Sequence, residues 1–168
     1  MKVELIPLEG IALDGKAIRL GGTKADVTQA LGSAGTVRQN SLYYFSNELR
    51  VDFDGKGRVE FIELLGGPDG ALQPVIFDVG AFQADPETVA ALLKERNGGD
   101  MTDGENGHCL QFWKLSVGLY RESVPEDVAG MIEEAAANGH PLGEEEIEDE
   151  KRRTHWAAIG VGAEGYYG

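Results

Sequence analysis

Apolar and polar positions along this chain predict an alternation of short strands and capped helices. Residues 17–20 read as a strand closed by Gly21-Gly22. Thr23 is placed to cap a helix, with Asp26 three residues on in the capping-box position. Val27, Ala30 and Leu31 recur at the spacing of one helix face, and Gly32 supplies the stop. Residues 42–45, 49–53 and 59–64, rich in aromatic and β-branched side chains, then read as a three-strand meander.

The turn Gly55-Lys56-Gly57 sets a register. A three-residue loop opposes Asp54 to Arg58, Phe53 to Val59 and Val51 to Phe61. Leu49, Val51, Phe53, Val59 and Phe61 then share the buried face, with Arg50, Asp52, Asp54, Arg58 and Glu60 outside. A two-residue loop would oppose Phe53 to Arg58 and mix the faces.

The second half follows the same plan. Residues 75–79 form a strand ending at Gly80, and Asp85 caps a helix with Pro86 at its first position. Val89, Leu92 and Leu93 stand at the offsets from Asp85 that Val27, Ala30 and Leu31 have from Thr23. Strands are predicted at 109–113 and 115–121, and a delayed third at 154–162. Between them Ser123 is placed to cap a further helix, with Glu126 at its third position and an apolar stripe of Val128, Met131, Ile132 and Ala135. The expected fold is α+β. It comprises two tandem helix-plus-meander repeats (about 1–66 and 74–168) in one globular domain, the second carrying a helical, acidic insertion over 122–153.

Residues 20–32 (Leu-Gly-Gly-Thr-Lys-Ala-Asp-Val-Thr-Gln-Ala-Leu-Gly), followed by Tyr44-Phe45, the strand 49–53 and Gly57-Arg58-Val59, carry a resemblance. The pattern is similar to the α/β repeat of β-lactamase-inhibitor-like proteins and of SmpA/OmlA-type envelope lipoproteins. It covers about residues 16–65 well and the second half loosely. The resemblance implies a non-enzymatic protein that binds other proteins through a sheet face and loops. The chain departs from those families in lacking an export signal or a lipidated N-terminal Cys.

Charge narrows the partner. The formal net charge is −14 over 168 residues, which disfavours nucleic acid and anionic membrane surfaces and would steer in a basic protein. The segment 122–150 has 11 acidic residues and no Lys or Arg. Within it Glu144, Glu145, Glu146, Glu148, Asp149 and Glu150 form a dense run, read either as a solvated face or as a surface for a basic partner. No apolar run approaches the roughly 20 residues of a membrane helix. Cys109 is the single cysteine, so no intramolecular disulfide forms, and a cytoplasmic protein is expected.

Candidate chemistry is sparse. Gly10 to Ala17 has the glycines and lysine of a phosphate loop but lacks its hydroxyl, and a strand follows rather than a helix. Gly160 to Gly165 matches the spacing of a dinucleotide-binding turn, yet no helix can follow it within the three residues that remain. His108, His140 and His155 fall in no metal-binding spacing. Cys109 reads as a small core residue. The loop 100–107 offers Asp100, Asp103 and Glu105 beside His108 as a hard-cation set.

One alternate set, Ser116, Gly118, Tyr120, Trp156, Ala158 and Gly160, makes a slot of small residues beside two aromatics. Either the helix near 125–137 packs there or a partner does, with Tyr120 and Trp156 as anchors.

The function expected is a non-enzymatic protein-binding module without cofactor, most specifically a bacterial immunity or inhibitor protein neutralising a basic toxin. A metal-dependent hydrolase using residues 100–108 and a self-associating structural protein are the alternatives.

Overall fold

A computed structural model describes all residues, 1–168. The chain begins with β1 (Lys2–Ile6), β2 (Gly10–Leu13) and β3 (Lys16–Arg19), an antiparallel meander of which the pattern above predicts only the last strand. Val3 and Leu5 alternate with Lys2 and Glu4, and the apolar pair is buried. Asp14-Gly15 turns the chain between β2 and β3 with both φ angles positive. Lys16 therefore opens a strand, which is incompatible with a phosphate-loop helix.

Helix α1 (Lys24–Leu31) starts from the capping box Thr23–Asp26, with both reciprocal bonds formed at 2.9 and 3.1 Å. Next come β4 (Thr36–Arg38), β5 (Ser41–Tyr44), β6 (Leu49–Phe53) and β7 (Val59–Leu64). The predicted strand 75–79 is instead a tight hairpin of β8 (Gln73–Ile76) and β9 (Val79–Gly80), because Phe77 and Asp78 both take left-handed backbone angles. Asp85 caps α2 (Pro86–Asn97), accepting from Thr88 N–H at 3.0 Å. The strands β10 (Met101–Gly104), β11 (Cys109–Phe112) and β12 (Val117–Tyr120) follow. Then come α3 (Pro125–Ala137), α4 (Glu144–Arg152) and β13 (Ala158–Gly162).

The strands make two sheets. One has the order β3-β2-β1-β8-β9, with β1 and β8 parallel; the other is β10-β11-β12-β13-β7-β6-β5-β4. The two halves of the chain meet at β1–β8 in the first sheet and at β7–β13 in the second. One continuous core of 27 buried residues joins both sheets with Val27 of α1 and Val89 and Leu93 of α2. The fold is α+β, with four helices and thirteen strands.

Two details depart from the expected arrangement. The turn forms as read, with Asp54 N–H on Arg58 C=O at 2.8 Å and Phe53 opposite Val59. Beyond that pair a bulge at Glu60 shifts the register, so Val51 opposes Ile62 and Asp52 opposes Phe61. Ile62 and Leu64 therefore enter the core, and Phe61 turns to the opposite, outer face. The other departure is the cap of α3: Val124 occupies that position without a side-chain bond, and Ser123 is buried with its N–H on Arg153 C=O at 3.2 Å.

Candidate functional site

The strand predicted over 154–162 begins only at Ala158, because α4 ends in successive turns through Thr154 and His155. Alternation does not extend back to Trp156. That residue points inward and is fully buried, its indole N–H donating to Pro86 C=O at 2.9 Å and Arg121 lying 4.5 Å from its ring centroid. Trp156 is an interior residue and cannot anchor a partner on the surface. Tyr120 keeps its predicted place: it is 43% exposed at the end of β12, on the outer face of the large sheet.

The slot of small residues exists, and the chain's own rings fill it. A side-chain carbon on Gly118 would overlap the Tyr167 hydroxyl, and one on Gly160 would overlap the Phe61 ring. One on Gly162 would lie 2.7 Å from Tyr166 Cβ. Three glycines on neighbouring strands thus let aromatic rings lie directly on the sheet backbone. Phe61 and Tyr166 stack with centroids 4.6 Å apart and planes 6° apart, and Tyr167 meets both rings edge-on.

Beside the rings, Arg50 bridges two carboxylates, Asp52 at 3.1 Å and Glu63 at 3.3 Å, and lies 5.7 Å from the Phe61 centroid. Burial pushes the Glu63 carboxyl above its usual range, and Arg50 only partly offsets this. Burial, reinforced by Glu63, raises the Tyr167 phenol well above its ordinary range. With Trp113, Tyr120 and Tyr166 each about two-fifths exposed, the outer face presents an aromatic patch in an acidic setting.

From the end of β12 the chain leaves the sheet as the helical hairpin α3–α4 and returns at β13. The acidic run becomes helix because Glu favours helix, its first turn holds Glu144, Glu145 and Glu146, and its last turn holds Lys151 and Arg152. Glu144, Glu145, Glu146, Glu148 and Asp149 are exposed, and Glu150 is half-buried, 3.4 Å from Arg153. Two ion pairs fasten the base of the hairpin, Arg153 to Glu122 at 3.2 Å and Arg152 to Asp69 at 2.6 Å. His108 Nε2 stands 3.4 Å from Asp127 of α3. Of the predicted apolar stripe only Val128 is buried, and Met131 is 40% exposed. The acidic side chains therefore point into solvent on an element that adds nothing to the main core.

The cation candidates do not converge. No group of three or more His, Cys, Asp or Glu side chains comes together in a ligand geometry. The stretch read as a loop is β10 plus a tight turn, and its polar groups close that turn. Asp103 accepts from Gly107 N–H at 2.7 Å, and the Glu105 carbonyl lies 2.6 Å from His108 Nδ1. The Asp100 carbonyl accepts from the Asn97 amide at 3.0 Å. Burial and then Glu105 push the Cys109 thiol up, the opposite of an activated nucleophile.

A polar cleft of about 390 Å³ between the loop 66–69 and the end of α4 contains Arg152, Arg153 and His155. Each is already engaged: the arginines with Asp69, Glu122 and Glu150, and His155 Nδ1 with Phe82 C=O at 2.8 Å.

Of the residues the sequence singled out, Tyr120 and most of the acidic run lie at the surface. Sequence reasoning missed Phe61, Tyr166, Tyr167 and Trp113. The glycine spacing 118, 160, 162 was the available signal for a site that receives rings. No helix is long and apolar enough to cross a membrane. Family models, curated proteins and solved structures contain no match to this chain.

Proposed function

We propose that the chain is a non-enzymatic protein-binding module, most specifically a cytoplasmic bacterial immunity or inhibitor protein that neutralises a basic toxin. The observation that carries the reading is the exposed acidic hairpin. Its carboxylates stand on two helices that leave the sheet next to the exposed Tyr120 and contribute no side chain to the main core. Fixed negative charge of this density accelerates encounter with a basic partner, while aromatic side chains supply the contacts that hold it. The resemblance to inhibitor-type repeats supports the same reading. So does the order of the large sheet, in which four antiparallel strands from each half meet at the β7–β13 pair. Net charge of −14 on every copy opposes self-association as the main role.

The test is native capture from the source cell with the wild-type chain, with a Glu144→Gln, Glu145→Gln, Glu146→Gln, Glu148→Gln variant, and with Tyr120→Ser. The expected result is a basic protein retained by the wild type and released at moderate ionic strength. With the quadruple variant its association rate should fall about tenfold at low salt, the scale of electrostatic steering, whereas Tyr120→Ser should speed its dissociation. Equal association rates for wild type and quadruple variant would overturn the hairpin's role.

A further inference from the structure

The segment after β13 crosses the outer face of the large sheet, and its attachments are uneven. Ala163 is pinned on both sides: its N–H donates to the carbonyl of the bulged Glu60 at 2.9 Å, and its carbonyl accepts from Ser116 Oγ at 2.8 Å. Past Ala163 one backbone hydrogen bond remains, from Tyr166 N–H back to Ala163 C=O at 2.9 Å. Tyr166, Tyr167 and Gly168 are otherwise seated by packing alone. Tyr166 lies on Phe61, Tyr167 covers Gly118, and Gly168 abuts the Trp113 indole. Such a segment sits at the low end of local stability, because opening it breaks ring contacts and almost no hydrogen bonds.

We propose that Tyr166-Tyr167-Gly168 is a displaceable strap that fills the outer-face aromatic site of the free protein and yields it to an aromatic side chain of a basic partner. The inference rests on the protein-binding reading and adds its regulation. The site's shape specifies an aromatic occupant, since a glycine floor accepts a flat ring and a Cβ on that floor would exclude one. Its charge specifies basic flanks. Asp52, Glu60 and Glu63 surround Tyr166, and the single nearby cation, Arg50, is already paired with two of them. A tethered strap competes at an effective concentration on the order of millimolar, so a partner binds more weakly than it would to an empty site.

The experiment uses the intact chain and an acetylated, amidated peptide, Gly-Tyr-Tyr-Gly-Lys, as the trans competitor. Binding is followed by amide NMR, with the wild type compared with a Tyr166→Ser, Tyr167→Ser variant that keeps the chain length. The variant is expected to bind the peptide at least tenfold more tightly than the wild type, with shifts centred on Gly118, Gly160 and Trp113. In the wild type, saturating peptide is expected to move the Tyr167 and Gly168 amides to disordered positions. Equal affinities, no binding by either chain, or shifts elsewhere on the surface would overturn the strap. Should the double variant fold poorly, Gly118→Val provides the second arm: it blocks the Tyr167 seat and is expected to release the same two amides without peptide. Unchanged Tyr167 and Gly168 amides in that variant would also overturn it. Because no toxin is used, failure here leaves the hairpin test standing, and failure of the hairpin test leaves this one interpretable.

Discussion

At the scale of single residues, short carboxylates act on the backbone rather than on a substrate. Asp26 and Asp85 accept N–H groups at the starts of α1 and α2, and Asp54 accepts two, from Lys56 and Arg58, across the β6–β7 turn. These bonds favour the charged form, so all three carboxyls titrate below the unfolded value of 3.8. Because the folded pKa is depressed, the stability they contribute is complete above about pH 3.8 and is lost as pH falls through their folded values. Glu63 has the opposite sign. Its carboxyl is raised from 4.5, so its contribution declines as pH climbs past that value. The triple variant Asp26→Asn, Asp54→Asn, Asp85→Asn is expected to flatten the acid limb. Denaturation midpoints measured at pH 7 and pH 3 should drop markedly for the wild type and much less for the variant. Equal drops would mean that other carboxylates dominate acid unfolding.

At the scale of elements, Arg121 is where several parts of the chain meet. Its side chain is 6% exposed and stacks on Trp156. It donates to Glu87 at the start of α2 (2.8 Å), to Gly107 C=O in the β10–β11 turn (3.0 Å) and to Thr154 C=O before β13 (3.3 Å). Replacing it with Ala leaves two carbonyls without a donor and opens space over the indole. Arg121→Ala is expected to cost about 3 kcal/mol, near the upper end for orphaned buried polar groups, read as a lowered urea midpoint with the slope unchanged.

Elements with local signals were legible in the sequence: Thr23 with Asp26, Asp85 with Pro86, and the Gly55-Lys56-Gly57 turn. The bulge at Glu60 was not. Phe61 and Ile62 are both large and apolar, so nothing local says which one enters the core. The choice is made by Gly160 and Tyr166, about a hundred residues away, which supply a seat and a lid for the outer ring. Trp156 failed for a related reason. Strand alternation was extended across a turn that the preceding helix imposes.

At the scale of the whole molecule, charge and core are physically separated. The hairpin from Val124 to Arg152 has ten acidic and two basic residues, −8 of the net −14, and its buried members, Val124 and Val128, lie outside the main hydrophobic cluster. The strands on either side of it are already neighbours, with Tyr120 opposite Ala158 and the ladder continued by Ala157 N–H on Tyr120 C=O at 2.8 Å. Sheet pairing therefore does not depend on the hairpin, whereas fast association with a basic partner would. Replacing residues 124–151 with a short Gly/Ser linker is expected to leave the far-ultraviolet circular dichroism strand signal and cooperative unfolding intact. The cost should be about 3 to 6 kcal/mol for two buried valines, partly offset because like charges crowded on the hairpin no longer repel. The same excision should remove the salt dependence of partner association. Retained folding with retained salt dependence would place the steering charge on the sheet face instead. Loss of cooperative unfolding would show the hairpin to be structural, bracing Arg121 and Trp156 from outside.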